Sequence, residues 1–141
     1  MLKKIAVVLV VLFLGAAMFS NSRSSGIHTE VLKKSIVGLK DGQEGIMQDI
    51  IPFYWERAYV FEPYTPKAEI EKTLGLSSPL IKESVSDDQV QWIFMEKGEI
   101  TASVCAYPSD LGYDVELTGM LTGSTPYKAV KKDKLIVLTA P

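Results

Sequence analysis

Residues 90–107 read VQWIFMEKGEITASVCAY. Two β-rich runs flank Glu96-Lys97-Gly98-Glu99, and that centre predicts a hairpin closed by a two-residue turn at Lys97-Gly98. Counting outward from the turn pairs Met95 with Ile100, Ile93 with Ala102 and Gln91 with Val104, a mostly apolar face. The other face pairs Phe94 with Thr101, Trp92 with Ser103 and Val90 with Cys105. That face is amphipathic and suited to meet a helix or a partner.

The segments around the hairpin extend the pattern. Downstream, Tyr113, Val115 and Leu117 alternate with Asp114, Glu116 and Thr118, which predicts a strand, and residues 135–139 read as the last one. Upstream, residues 53–61 alternate with Phe53, Trp55, Tyr59 and Phe61 on one face. Tyr54, Glu56, Ala58 and Val60 fall on the other. A row of aromatics at period two is expected to face the core, with Trp55 largely buried and Tyr54, beside Glu56, the likelier contributor to any exposed aromatic surface. Thr65-Pro66 reads as a helix start, with Thr65 as the cap, Pro66 at the first helical position and Tyr64 packed nearby. Ile70 and Leu74 then share a helix face, Gly75 ends the helix and Pro79 prevents its resumption. Residues 29–39 predict a shorter amphipathic helix with Thr29 as its cap, and Asp41-Gly42 a turn. Runs of strands without repeated βαβ units argue for an α+β fold. It is expected as an antiparallel sheet of about five strands with one or two short helices on one face, preceded by an N-terminal apolar helix.

That apolar helix is the clearest statement about cellular place. Lys3 and Lys4 precede fifteen residues, 5–19, that are apolar apart from small Gly15, Ala16 and Ala17. As a helix they span about 22 Å, short of the roughly 30 Å hydrocarbon core. The length suits a signal peptide, yet neither Ser20 with Ser22 nor Gly15 with Ala17 makes an Ala-x-Ala cleavage site, so a retained anchor fits nearly as well. Residues 1–22 are therefore a signal peptide or membrane anchor, 23–28 a polar tether, and 29–141 a single α+β domain outside the cytoplasm.

Composition narrows the chemistry. Nearly half of the 141 residues are apolar (47%), enough for one core. Without Lys3 and Lys4, 13 basic side chains stand against 17 acidic ones, a net of −4. No general footprint for nucleic acid follows from that balance. Cys105 is the only cysteine, so no disulfide forms within the chain and no lipobox thiol follows the apolar run. His28 is the only histidine, which argues against zinc, and no cofactor is implied. His28 is expected in a solvated loop and Cys105 as a buried thiol in mid-strand. Asp87-Asp88 with Glu83 lack the spacing and Gly bend of a calcium loop and read as a solvated turn. Glu56 and Glu62, six residues apart on one strand, stand roughly 20 Å apart, too far for paired-carboxylate hydrolysis.

Residues 45–75 include Phe53, Trp55-Glu56, Tyr59-Val60-Phe61 and Pro63-Tyr64-Thr65 ahead of the predicted helix. This resembles a group of small bacterial exported or lipid-anchored proteins with an F-x-W-D/E-x-x-Y-V-F-x-P-Y-T stretch. The resemblance implies an exported α+β domain and supplies no catalytic residue. Members often carry Asp at the position of Glu56, and a lipobox cysteine that this chain lacks.

The expected function is that of a non-enzymatic cell-envelope protein that binds an unknown protein or an envelope polymer, and the membrane through its N-terminal segment. A secreted inhibitor or immunity-type protein and an extracellular hydrolase are the alternatives. Two surfaces are candidates for interaction. One is Tyr54 with Glu56 on the outer face of the aromatic strand. The other is the basic run Lys128, Lys131 and Lys132, extended by Lys134 and relieved by Asp133, which suits anionic lipid or polymer.

Overall fold

A computed structural model describes residues 24–141, and the expected signal peptide or anchor over 1–22 lies outside the described residues. Strands β3 (Val90–Glu96) and β4 (Glu99–Ala106) form the hairpin, and the turn residues Lys97 and Gly98 both have positive φ, 50° and 75°. This is the backbone of the tight hairpin turn that matches strand twist. Met95 faces Ile100 as the turn dictates, but Phe94 then faces Ala102, and Trp92 faces Val104. Thr101 is the extra residue of a β-bulge, and its Oγ1 donates to the Phe94 carbonyl at 3.2 Å. The expected pairing is therefore correct for one step and displaced by one residue beyond it. The bulge also separates Ile100 from Ala102: two residues apart, they join different apolar clusters.

The chain is α+β, but its strands form two sheets of four rather than one. The hairpin sheet has the order β4-β3-β2-β6, with β2 at Arg57–Val60 and β6 at Gly119–Thr122. The second sheet has the order β1-β7-β8-β5, with β1 at Glu44–Ile46, β5 at Tyr113–Val115, β7 at Pro126–Lys132 and β8 at Leu135–Thr139. It is mixed, because β5 runs parallel to β8. The corner where β6 passes into β7 is held by a short 3-10 turn, Met47–Asp49. The Met47 and Gln48 amides donate to the carbonyls of Thr125 and Gly123, each at 2.9 Å.

The main core lies between the sheets and a helix, α1, over residues 24–37. Leu32 and Ile36 of α1 meet Trp92, Phe94, Tyr127 and Leu138 there. Residues 24–28, expected as tether, are part of this helix, and Ser25 is only 5% exposed. Thr29 is not its cap; its hydroxyl donates back to the Gly26 carbonyl at 2.8 Å from inside the helix. On the opposite face of the hairpin sheet, helix α2 (Lys67–Leu74) buries Ile70 and Leu74 against Ile93, Met95 and Ile100. A single turn, α3 (Pro108–Leu111), leads from β4 to β5.

The aromatic row does not share one face. Only Arg57–Val60 is strand. Phe53 and half-buried Trp55 pack on the main core, whereas Tyr59 and Phe61 join the smaller cluster under α2. Period two holds only where the ladder holds, and residues 51–56 approach β3 as a loop. Ala58 and Leu121, small and aliphatic, occupy the inner positions of β2 and β6 instead.

The start of α2 is also rearranged. Pro66, extended at φ −62° and ψ 145°, is the cap residue and makes no side-chain cap bond. The Thr65 hydroxyl donates to the Glu62 carbonyl at 2.6 Å, and the Glu83 carboxylate accepts the Lys67 amide proton at 2.6 Å. A distant carboxylate thus satisfies a free amide at the positive end of the helix. Glu83→Ala is expected to cost about 1 kcal/mol, more than Thr65→Ala, in urea unfolding of the two variants. Gly75, at φ 74°, ends the helix as expected.

One polar bond crosses the main core. Trp92 Nε1 donates to the Tyr113 hydroxyl at 3.3 Å, joining the two sheets. Burial raises the Tyr113 phenol well above its ordinary range, and the bond from Trp92 opposes this in part. The unfolded phenol loses its proton near about pH 10, while the native one keeps it. Native stability is therefore undiminished by this group below that pH and falls as pH rises through it. Tyr113→Phe is expected to flatten the alkaline limb of a stability–pH profile measured by urea unfolding.

Candidate functional site

Two ends of the hairpin sheet carry distinct surfaces, separated by the length of β3, about 20 Å. At the turn end, the His28 ring stacks on Phe53 with ring centres 4.6 Å apart, and His28 Nδ1–H donates to the Thr101 carbonyl at 2.7 Å. His28 is thus a half-buried packing residue rather than a solvated one. Next to the stack, Pro52, Tyr54 and Trp55 border a shallow groove of about 560 Å³ closed by Gln48 and Gly123. Tyr54, in the loop before β2, is 86% exposed. The neighbouring Glu56 carboxylate accepts the Lys97 amide proton at 2.9 Å and so steadies the hairpin turn.

The basic run belongs to the other sheet and is divided. Lys128 stands directly opposite Glu44 and pairs with it at 3.6 Å, and Lys132 pairs with Glu116 at 3.0 Å. Such exposed pairs are weak, but each places an acid beside its lysine. Lys131 falls on the opposite face of β7 from Lys128 and Lys132 by alternation, and its backbone amide donates to the Asp41 carboxylate at 2.8 Å. The fold therefore does not bring Tyr54 and Glu56 together with Lys128, Lys131 and Lys132.

The second surface is not legible in the sequence as a site. At the far end of the hairpin sheet, a cleft of about 500 Å³ opens between β2, the start of β3, α3 and β5. Glu62, Asp87, Asp88 and Asp114 line it with Tyr107 and Leu117, and its lining contains no Lys, Arg or His. Gln91 is also in its wall. This side chain is 2% exposed, and its Nε2 donates to the Lys82 carbonyl. Its Oε1 is buried without a protein partner. Tyr64 stands beside Asp87, whose carboxylate raises the phenol's pKa. Rather than packing at the start of α2, Tyr64 is 58% exposed, with a positive φ of 63°, and its amide donates to the buried Ser84 hydroxyl at 2.8 Å. Asp87-Asp88 is the one visible signal of this cleft, and only the topology adds Glu62 and Asp114.

Cys105 is half-buried rather than enclosed, in a groove of about 280 Å³ between α1 and β4. Burial raises its thiol pKa, and nearby Lys82 partly opposes this, so little thiolate forms at neutral pH. Among the described residues, no three His, Cys, Asp or Glu side chains gather to hold a metal ion. Nor is any helix of the described residues long and apolar enough to cross a membrane. Comparison of the chain with protein-family models, curated proteins and solved structures finds no match.

Proposed function

We propose that this chain is an exported, membrane-tethered and non-enzymatic domain of the cell envelope that captures a positively charged segment of a protein partner in the cleft between β2 and β5. The observation that carries the reading is the cleft's charge: four carboxylates and no cation around an opening with apolar and aromatic walls. Spread over three chain segments, these acids suit several positive charges along a partner better than a single ion. Tyr107, 39% exposed, supplies contact for the partner's aliphatic stems.

Export and tethering rest on Lys3, Lys4 and the apolar run 5–19, and the resemblance of residues 53–65 to exported proteins points the same way. Retention of the anchor is favoured by Ser25, which is seated on the domain three residues after Ser22 and leaves little free chain at that site for a peptidase.

Fluorescence anisotropy with a labelled oligolysine, and with oligoglutamate as the opposite probe, tests the binding. Oligolysine is expected to bind selectively and more weakly as salt rises. Neutralising Asp87, Asp88 and Asp114 to Asn together is expected to weaken it about tenfold or more, at up to about 1 kcal/mol per exposed pair. Equal binding of the two probes, or unchanged binding by the neutralised variant, would refute the cleft as the binding site.

A further inference from the structure

We infer that the domain sits on the bilayer surface through the corner that carries Ile27, Tyr54 and Trp55, with the acidic cleft turned away from the membrane. The inference rests on the tethered reading above and adds to it an orientation and a lipid-contacting surface.

Chain length sets the constraint. From Phe19, the end of the apolar run, to residue 24 there are five residue steps, at most about 17 Å when fully extended. A compact domain of about 120 residues is roughly 35 Å across. The tether is therefore shorter than the domain is wide, and the half that holds the start of α1 is the half nearest the bilayer. That start is not free to swing. Ser25 is buried, Leu32 and Ile36 are in the core, and His28 is stacked on Phe53 and bonded to Thr101. The membrane-near corner is consequently built from the first turns of α1, the loop before β2 and the bulge.

This corner exposes the kind of side chain that the interface favours. Ile27, next to His28, is 62% exposed, and Tyr54, next to Phe53, is the most exposed of the large apolar side chains among the described residues. Trp55 is half-buried beside them. Tyrosine and tryptophan, apolar in body and polar at the tip, settle in the headgroup zone. By sequence, the segments that form this corner carry Glu30, Glu56, Glu96 and Glu99 against Arg23, Arg57 and Lys97, one more acid than base. They give no attraction to anionic headgroups, so the contact depends on the apolar and aromatic groups. The cleft lies at the opposite end of β3, where a partner in the aqueous space can reach it.

The test uses the full chain in phosphatidylcholine vesicles, some carrying acyl chains brominated close to the headgroup. Trp92 is fully buried, so quenching reports on Trp55, and a Trp55→Phe variant supplies the residual signal. Sedimentation with the vesicles after an alkaline carbonate wash reports the tether separately. A washed chain that stays with the vesicles, with Trp55 quenched by the brominated lipid and shielded from aqueous iodide, is the expected result. A double Ile27→Asp, Tyr54→Asp variant should remain tethered while Trp55 becomes open to iodide and silent to the lipid. If the native chain already behaves like that variant, the seat is overturned and the tether stands. A chain released by the wash, or cut near Ser22, overturns both.

Discussion

Trp92→Ala is expected to lower the unfolding free energy by about 3 to 5 kcal/mol, the largest effect of any single truncation in the chain. Trp92 has no exposed surface and is the largest of the fully buried side chains. Its ring lies 4.7 Å from Phe94 and 6.0 Å from Tyr113, centre to centre, and its Nε1 donates across the core to the Tyr113 hydroxyl. Truncation empties the space between the two sheets and leaves the buried phenol without its donor, and both effects act in the same direction. A fall in the urea midpoint at unchanged slope is the measurement. A loss below about 1 kcal/mol would mean that the sheets collapse onto the cavity at little cost, contrary to a close-packed interior.

Leu32→Ala is expected to cost about 2 to 5 kcal/mol. Leu32 is wholly buried on the inner face of α1, and with Ile36 it ties the helix to the core. No strand ladder holds α1, so its side chains carry the attachment. Faster amide exchange over residues 24–37 is expected along with the lower urea midpoint. Protection lost over that helix alone, with the midpoint unchanged, would show that α1 opens as a separate unit. That outcome would also uncouple the anchor from the domain and remove the rigid lever on which the membrane seat depends.

What was readable in the sequence was local. Lys97-Gly98 names its own turn, because Gly accepts the positive φ that such a turn requires. Gly75 names the end of α2 for the same reason. Leu32 with Ile36, and Ile70 with Leu74, announce helical faces by their spacing. These signals are carried within a few residues by backbone sterics or by period.

Only the tertiary structure decided the remainder. Thr101 became a bulge because Ile100 and Ala102 have separate cores to fill, and nothing in the period of β4 records that choice. Glu83, not Thr65, satisfies the first amide of α2, since a carboxylate sixteen residues away is brought there by the loop that follows the helix. The division into two sheets depends on the corner at Gly123–Thr125, where short strands exchange partners without leaving a pattern. The acidic cleft belongs to the same class. Glu62, Asp87, Asp88 and Asp114 are ordinary surface acids in the sequence, and they acquire a shared field only when the ends of β2 and β5 meet across the mouth of the core. Short-range rules govern which residues turn, alternate or coil, whereas burial and charge are sums over the whole fold and exist only once distant segments have come together.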